Sequence, residues 1–541
     1  MDDQELLDNI DGRMHGPMSG FIKRYFGNLQ CDPQDATLAT TPSPDDFLEW
    51  FSSHASGEFD GSRGSWQIPE HGSDNAYARL LLTIPASPAS DVQIKWEDVQ
   101  VIGQFNHRAC MKYQDGLLRL CRSAYEVFGS QPTRLFLHGF YIRGSLAELW
   151  VFDLSGLYCS DVFDIQKDFV QFISIIRSYQ QLTDQELGKL DITQMDEGRS
   201  YITLDSVEIP ALGKLYLEAQ PIASRERLVG TGTTCYRART PNSDRWDYVL
   251  KFKWRWARDR PEDDFLNLAS EKCVWGAVSL DCYKEIESTS NLRRRSCFNA
   301  AGLVDYTEET GDFFQNRILA CVVTSPVGRP LHTFNSLLGL LEMFGDAIKC
   351  HRSLYHDAKV LHQDISPGNI IILDGQDEQK PKGILIDLDS AIELAELLET
   401  ERGITGTRPF IAIGVLKKEL HSYRHDLESF LYFFLWTIIT NHADDPPETS
   451  KLRQWSNGEW DELAVRKSLD MGQDSFRGIL EEFTGEFESL KPLAERLHQI
   501  LFPMRDGVIW TGTDASPEAT HNLYDRMIGA FEEAIASEGG R

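Results

Sequence analysis

In the stretch His362-Gln363-Asp364-Ile365-Ser366-Pro367-Gly368-Asn369, an aspartate and an asparagine share one short polar loop. A carboxylate there can accept or orient an attacking hydroxyl, while an amide oxygen on the same loop ligates Mg²⁺; the pairing suits phosphoryl transfer. The apolar run Ile370–Leu373 begins a strand that rigidifies the loop. A further carboxylate, Asp387, ends the next predicted strand in Ile384-Leu385-Ile386-Asp387-Leu388-Asp389. Between the strands, Asp374–Gly383 reads as a solvated hairpin loop. Asp387 then stands where a carboxylate can chelate a Mg²⁺ that bridges nucleotide phosphates.

Upstream, Leu228-Val229-Gly230-Thr231-Gly232-Thr233-Thr234-Cys235 precedes a strand-like segment. Without Cβ atoms at Gly230 and Gly232, the backbone N–H groups around Thr231 can approach phosphate oxygens closely, although an ordinary hairpin turn has the same pattern. Tyr248-Val249-Leu250-Lys251-Phe252 follows and can supply the lysine that pairs the α- and β-phosphates. Lys253 lies on the same strand face, and the apolar pair before Lys251 favours Lys251. Such a lysine needs a carboxylate on the next helix. Glu262 shares a helical face with Leu266, Ala269 and Cys273, whereas Glu271 falls off that stripe and stays as the second candidate. Glu262 also fits as a charge complementing a helix N-terminus. Further on, Thr407 follows Gly406, and Asp426 opens a helical run where it can brace the loop of Asp364 or act as a plain cap.

These groups need a small sheet for the glycines and Lys251, and a larger helical body for the two aspartates. The patterning supplies both. Residues 216–335 are rich in strand signals and residues 336–541 are mostly helical. Before them, residues 86–215 read as an α/β region, with strands at Leu135–Ile142 and Leu146–Phe152 and a helix over Asp161–Gln180. Residues 1–85 are acidic and broken by Pro, Gly and Ser, notably over Ser52–Asn75, and read as a flexible arm with a short helix near its start. The predicted class is α+β.

Composition narrows the partners. With 54 Lys and Arg against 83 Asp and Glu, the formal charge is −29, which opposes non-specific binding to nucleic acid or anionic membranes. The 10 cysteines include no C-x-x-C pair, so reduced thiols in an intracellular protein, cytoplasmic or nuclear, are expected. Met1–Glu5 has the wrong charge for a secretory signal, and the apolar run Phe430–Ile439 is half a membrane span and reads as a buried helix. Oligomeric state is not legible.

Taken together, Gly328–Leu331, Asp346–Ile348, His351–Tyr355, His362–Ile370, Ile384–Ala391, Gly406–Ala412 and His425–Phe430 resemble the fungal-type protein kinase family, and the resemblance begins near Leu149–Gly156. It implies a bilobal protein-kinase-like core, with a small β-rich N-lobe and a larger helical C-lobe, that uses ATP and Mg²⁺ on a protein substrate. By the same resemblance Asp364 is the catalytic base, Asn369 and Asp387 hold Mg²⁺, Lys251 anchors the nucleotide and Thr407 positions Asp364, as in serine/threonine kinases. The sequence departs from the pattern at several places. Gln363 replaces an arginine, Ser366 a lysine, Asp389 the glycine of D-F-G, Gly414 a glutamate that closes a buried ion pair, and Leu154 an arginine. Ser366 and Asp389 also suit small-molecule kinases of the aminoglycoside or choline kinase type. A pseudokinase scaffold is the third alternative, and retention of Lys251, Asp364, Asn369 and Asp387 argues against it.

Overall fold

The computed structural model describes residues 3–27, 41–54, 62–69, 77–84, 94–107, 112–190, 192–204, 213–224, 227–295, 316–374, 380–398, 403–443 and 445–540. The chain forms two compact units: Met1–Asp259 with Cys282–Val323, and Arg260–Asp281 with Thr324–Arg541.

Alternating hydrophobicity builds the first unit around two sheets. The first contains β1 (Met14–His15), β2 (Ser65–Gln67), β3 (Tyr77–Thr83), β4 (Val99–Asn106), β5 (Phe136–Arg143), β6 (Leu146–Asp153), β7 (Gly156–Cys159) and β8 (Phe163–Asp164). Its order is β1-β7-β6-β5-β4-β3-β2, with β8 on β6. β5 and β6 form the predicted hairpin, turning at Gly144 in the left-handed region. β4 and β5 run parallel, which demands a crossover. The helix Tyr113–Ser130 supplies it, laying Leu117, Leu120, Ala124 and Val127 into the core.

The expected flexible arm contributes more than one helix. α1 (Asp3–Ile10), α2 (Phe21–Phe26), α3 (Phe47–His54) and strands β1, β2 and β3 all come from residues 1–85. Phe47 stacks on Phe105, and Phe51 is fully buried. Phe47, Phe51 and Trp66, set among the Pro and Gly breaks, therefore belong to the core; much of the Ser52–Asn75 stretch lies outside the described residues.

The second sheet has the order β14-β15-β13-β12-β11-β10-β9. Its strands are β9 (Thr193–Asp196), β10 (Arg199–Thr203), β11 (Lys214–Leu217), β12 (Thr234–Arg239), β13 (Tyr248–Trp256), β14 (Ser279–Ser288) and β15 (Arg317–Ser325).

The second unit is mostly helical, as the sequence predicts. The segment Phe430–Ile439 lies inside a helix, Tyr423–Thr440, every residue of which is buried, with Ser422 and His425 forming a capping box at its start. The helix Leu337–His356 packs beside it, Phe344 against Phe433 and Phe434. Short strands Ile370–Ile372 and Gly383–Leu385 pair antiparallel and carry the two acidic motifs; residues 375–379 of the loop between them lie outside the described residues. Among the described residues, no helix is long and apolar enough to cross a membrane.

Candidate active site

His362 is the hub from which the second unit's acidic groups are placed. Its ring is buried, with Nε2 3.1 Å from the Ile386 carbonyl and Nδ1 accepting the Asp364 N–H at 3.3 Å. Those partners assign a neutral ring protonated on Nε2. The backbone N–H groups of His362 and Gln363 donate to Asp426 Oδ2 at 3.1 and 3.3 Å. His351 and His421 reach the same carboxylate at 2.8 and 2.7 Å. Burial alone would raise the pKa of Asp426, but the two histidines hold it well below the usual carboxylate range. A buried anion so surrounded fixes the loop.

Gln363 and Asp387 both have φ near 65°, a conformation that costs a non-glycine residue on the order of 1–2 kcal/mol. Hydrogen bonds around each hold the backbone there. For Gln363 it is Asp426; after Asp387, the Leu388 N–H donates to Glu262 Oε1 at 3.2 Å.

Thr407 closes on Asp364. Its N–H and hydroxyl donate to Asp364 Oδ1 at 2.8 and 2.7 Å. Gly406 permits the approach: φ is +117°, and a Cβ there would lie 3.0 Å from the Gln363 carbonyl oxygen. Asn369 Nδ2 donates to the Asp364 carbonyl at 2.9 Å, which assigns the amide nitrogen and leaves Oδ1 to accept or ligate. The Ile386 N–H donates to the Asn369 carbonyl, tying the two acidic motifs together.

Carboxylate oxygens of Glu262, Asp387 and Asp389 lie within 4.8 Å of one another. Such hard oxygen donors, with an amide oxygen from Asn369 on the adjoining loop, fit Mg²⁺ by their chemistry. Glu262 is buried at the start of the helix Glu262–Glu271, whereas Glu271 is exposed. Lys251 belongs to the first unit and Glu262 to the second.

In the first unit, Lys251 sits on β13 opposite Cys235 of β12. Gly230 and Gly232 have φ of +154° and +54°. The turn they form is fastened down. Gly230 N–H donates to the Leu154 carbonyl at 3.1 Å, and Asn9 exchanges two hydrogen bonds of 2.9 Å with the backbone of Val229. A Cβ at Gly232 would come 2.9 Å from Leu154 Cδ1. Leu154, where the family pattern expects arginine, is thus a fully buried prop for this turn.

Other contributors carry weak sequence signals. Lys467 is buried and donates to the carbonyls of Pro409 and Ile411 at 2.7 Å each, fixing the segment after Thr407. Burial holds its pKa well below the usual lysine value. Glu428 accepts from Ile413 N–H and Tyr432 hydroxyl and pairs with Arg424 at 2.6 Å, all buried. The i,i+4 spacing of Arg424 and Glu428 is visible in the sequence, but nothing there marks Lys467 as interior. A Cβ at Gly414 would lie 2.3 Å from His425 Nε2. His425 therefore occupies the space beside Gly414, and the buried ion pair in this region is Arg424–Glu428.

The family model described as fungal protein kinase matches residues 81–438, well over half of the chain. The chain belongs to the fungal protein kinase family. The core of this family member is α+β and kinase-like, with a sheet-rich region and helical segments. A solved structure titled as vaccinia related kinase 3 is similar at 12% identity and a TM-score of 0.34, covering 63% of this chain and 90% of that one. No curated protein matches the sequence.

Proposed function

We propose that this fungal protein kinase family member transfers the γ-phosphate of ATP to a serine or threonine hydroxyl of a protein. The observation that carries the reading is the double donation of Thr407 to Asp364 Oδ1. It orients the carboxylate and leaves Oδ2, which makes no hydrogen bond among the described residues, to take the acceptor's proton. Asn369, Asp387 and Glu262 or Asp389 are the residues to hold Mg²⁺, which when bound neutralises charge on the phosphates. Lys251 and Gly230-Thr231-Gly232 are assigned to the nucleotide from their place in the sequence pattern. With Gln363 in place of arginine, control by a phosphorylated loop pairing at that position is not expected.

A small-molecule acceptor is the second reading, favoured by Asp389, whose carboxylate stands beside that of Asp387 where D-F-G kinases carry glycine. Incubation with γ-labelled ATP and Mg²⁺ separates the two. Label on a peptide library at serine or threonine supports the protein-kinase reading. Label only on amino alcohols or aminoglycosides replaces it with the second.

A further inference from the structure

The first unit holds a cleft of about 320 Å³, walled by the end of the helix Tyr113–Ser130, the segment Gln131–Arg134, Lys189 and strands β9 to β13. Its charge is unusual for a chain with a formal charge of −29. Arg134 is almost wholly buried, and its guanidinium donates only to neutral oxygens: the carbonyls of Phe136, Val99, Gln100 and Leu187 and the side-chain amides of Gln100 and Gln131. Among the described residues no carboxylate pairs with it, and Asp184 is engaged by Arg63 at 2.6 Å. Lys189, half-buried on the same wall, makes no side-chain hydrogen bond or ion pair among the described residues. Burial, then the charge of Arg134, lower the pKa of this lysine, while Asp184 and Asp98 oppose the shift.

Of the two acidic residues at the cleft, Glu97 is exposed and Glu218 pairs with Arg237 at 3.6 Å. Hydroxyl groups complete the lining. Thr133, Thr193 and Tyr236 make no hydrogen bond through their side chains among the described residues, and burial raises the pKa of Tyr236, keeping it a donor. Asp184 and Asp98 act on these two cations only through space and make no ion pair with either among the described residues, so the cations and the unpaired hydroxyls form a concave site with room for one anion.

We propose that this cleft binds a small phosphate-bearing molecule of sugar-phosphate size, its phosphate taken by Lys189 and the neighbouring hydroxyls in the field of Arg134. The buried guanidinium contributes charge, since its donors are already committed. Lys189 contributes contact.

The test is calorimetric titration of the full chain, without nucleotide, using inorganic phosphate, pyrophosphate and glucose 6-phosphate at matched ionic strength. Saturable binding by at least one of them is expected, weakened roughly tenfold or more by Lys189→Met and by less in Lys189→Arg. Lys251→Met separates this cleft from the proposed nucleotide residues and should leave the affinity unchanged. Thr133→Val, a milder change, should weaken binding severalfold if Lys189→Met fails to fold. Absence of saturable binding by all three probes overturns the proposal. So does binding that Lys189→Met and Thr133→Val leave intact, or binding that Lys251→Met removes.

Discussion

Thr407 spends both of its donors on one oxygen of Asp364, its N–H at 2.8 Å and its hydroxyl at 2.7 Å. Thr407→Val removes the hydroxyl and keeps the N–H. In the proposed reaction kcat should fall about 10- to 100-fold with little change in KM for ATP, because the lost bond orients the base and touches no substrate. Steady-state kinetics beside a melting curve separate this from unfolding.

The turn of Gly230 and Gly232 depends on the beginning of the chain. Asn9→Ala removes two buried hydrogen bonds to Val229 and strands its N–H, while the carbonyl keeps Arg13 at 3.3 Å, so a loss of about 1–3 kcal/mol is expected in denaturant unfolding. Removal of residues 1–12 should cost at least as much. A flexible arm would show neither effect.

Lys467→Met frees the carbonyls of Pro409 and Ile411 from their donor. Stability should drop by about 2–4 kcal/mol. Limited proteolysis should show faster cutting within residues 403–412, since the segment that carries Thr407 loses its anchor.

Buried histidines should erode stability in acid. His138 and His425 are each pushed down by burial to a pKa of about 4. Unfolded histidine takes a proton near pH 6.5, so below that pH the unfolded state binds more protons and stability falls until about pH 4. Each should contribute a slope on the order of 1.4 kcal/mol per pH unit in that window. Denaturant unfolding at pH 7, 6 and 5 measures it, and His425→Gln should flatten part of the slope. Asp426, held low in the folded state, adds its loss only below about pH 4.

Much of the candidate site is legible because its residues are local in sequence. Asp364 and Asn369 share one loop, and Asp387 ends the neighbouring strand, so spacing alone marked them. Thr407 and Asp426 were singled out by order along the chain, and the structure brings both onto the loop of Asp364. What escaped depends on distant contacts. Asn9 meets Val229, and Lys467 meets Pro409, through packing that no periodicity encodes. The N-terminal segments differ from their sequence pattern for a similar reason: Phe47, Phe51 and Trp66 sit among turn-forming residues, yet each is buried in the core of the first unit. Short elements whose apolar faces are completed by remote strands carry too little pattern of their own.

The most direct measurement is transfer of γ-labelled phosphate from ATP with Mg²⁺ to a mixed peptide acceptor, by wild type, Asp364→Asn and Asp387→Ala, with folding checked for each. Labelling by wild type that falls at least about 10²-fold in both variants is the expected result. Equal labelling by Asp364→Asn, or none by folded wild type, would contradict the assignment of this site to phosphoryl transfer.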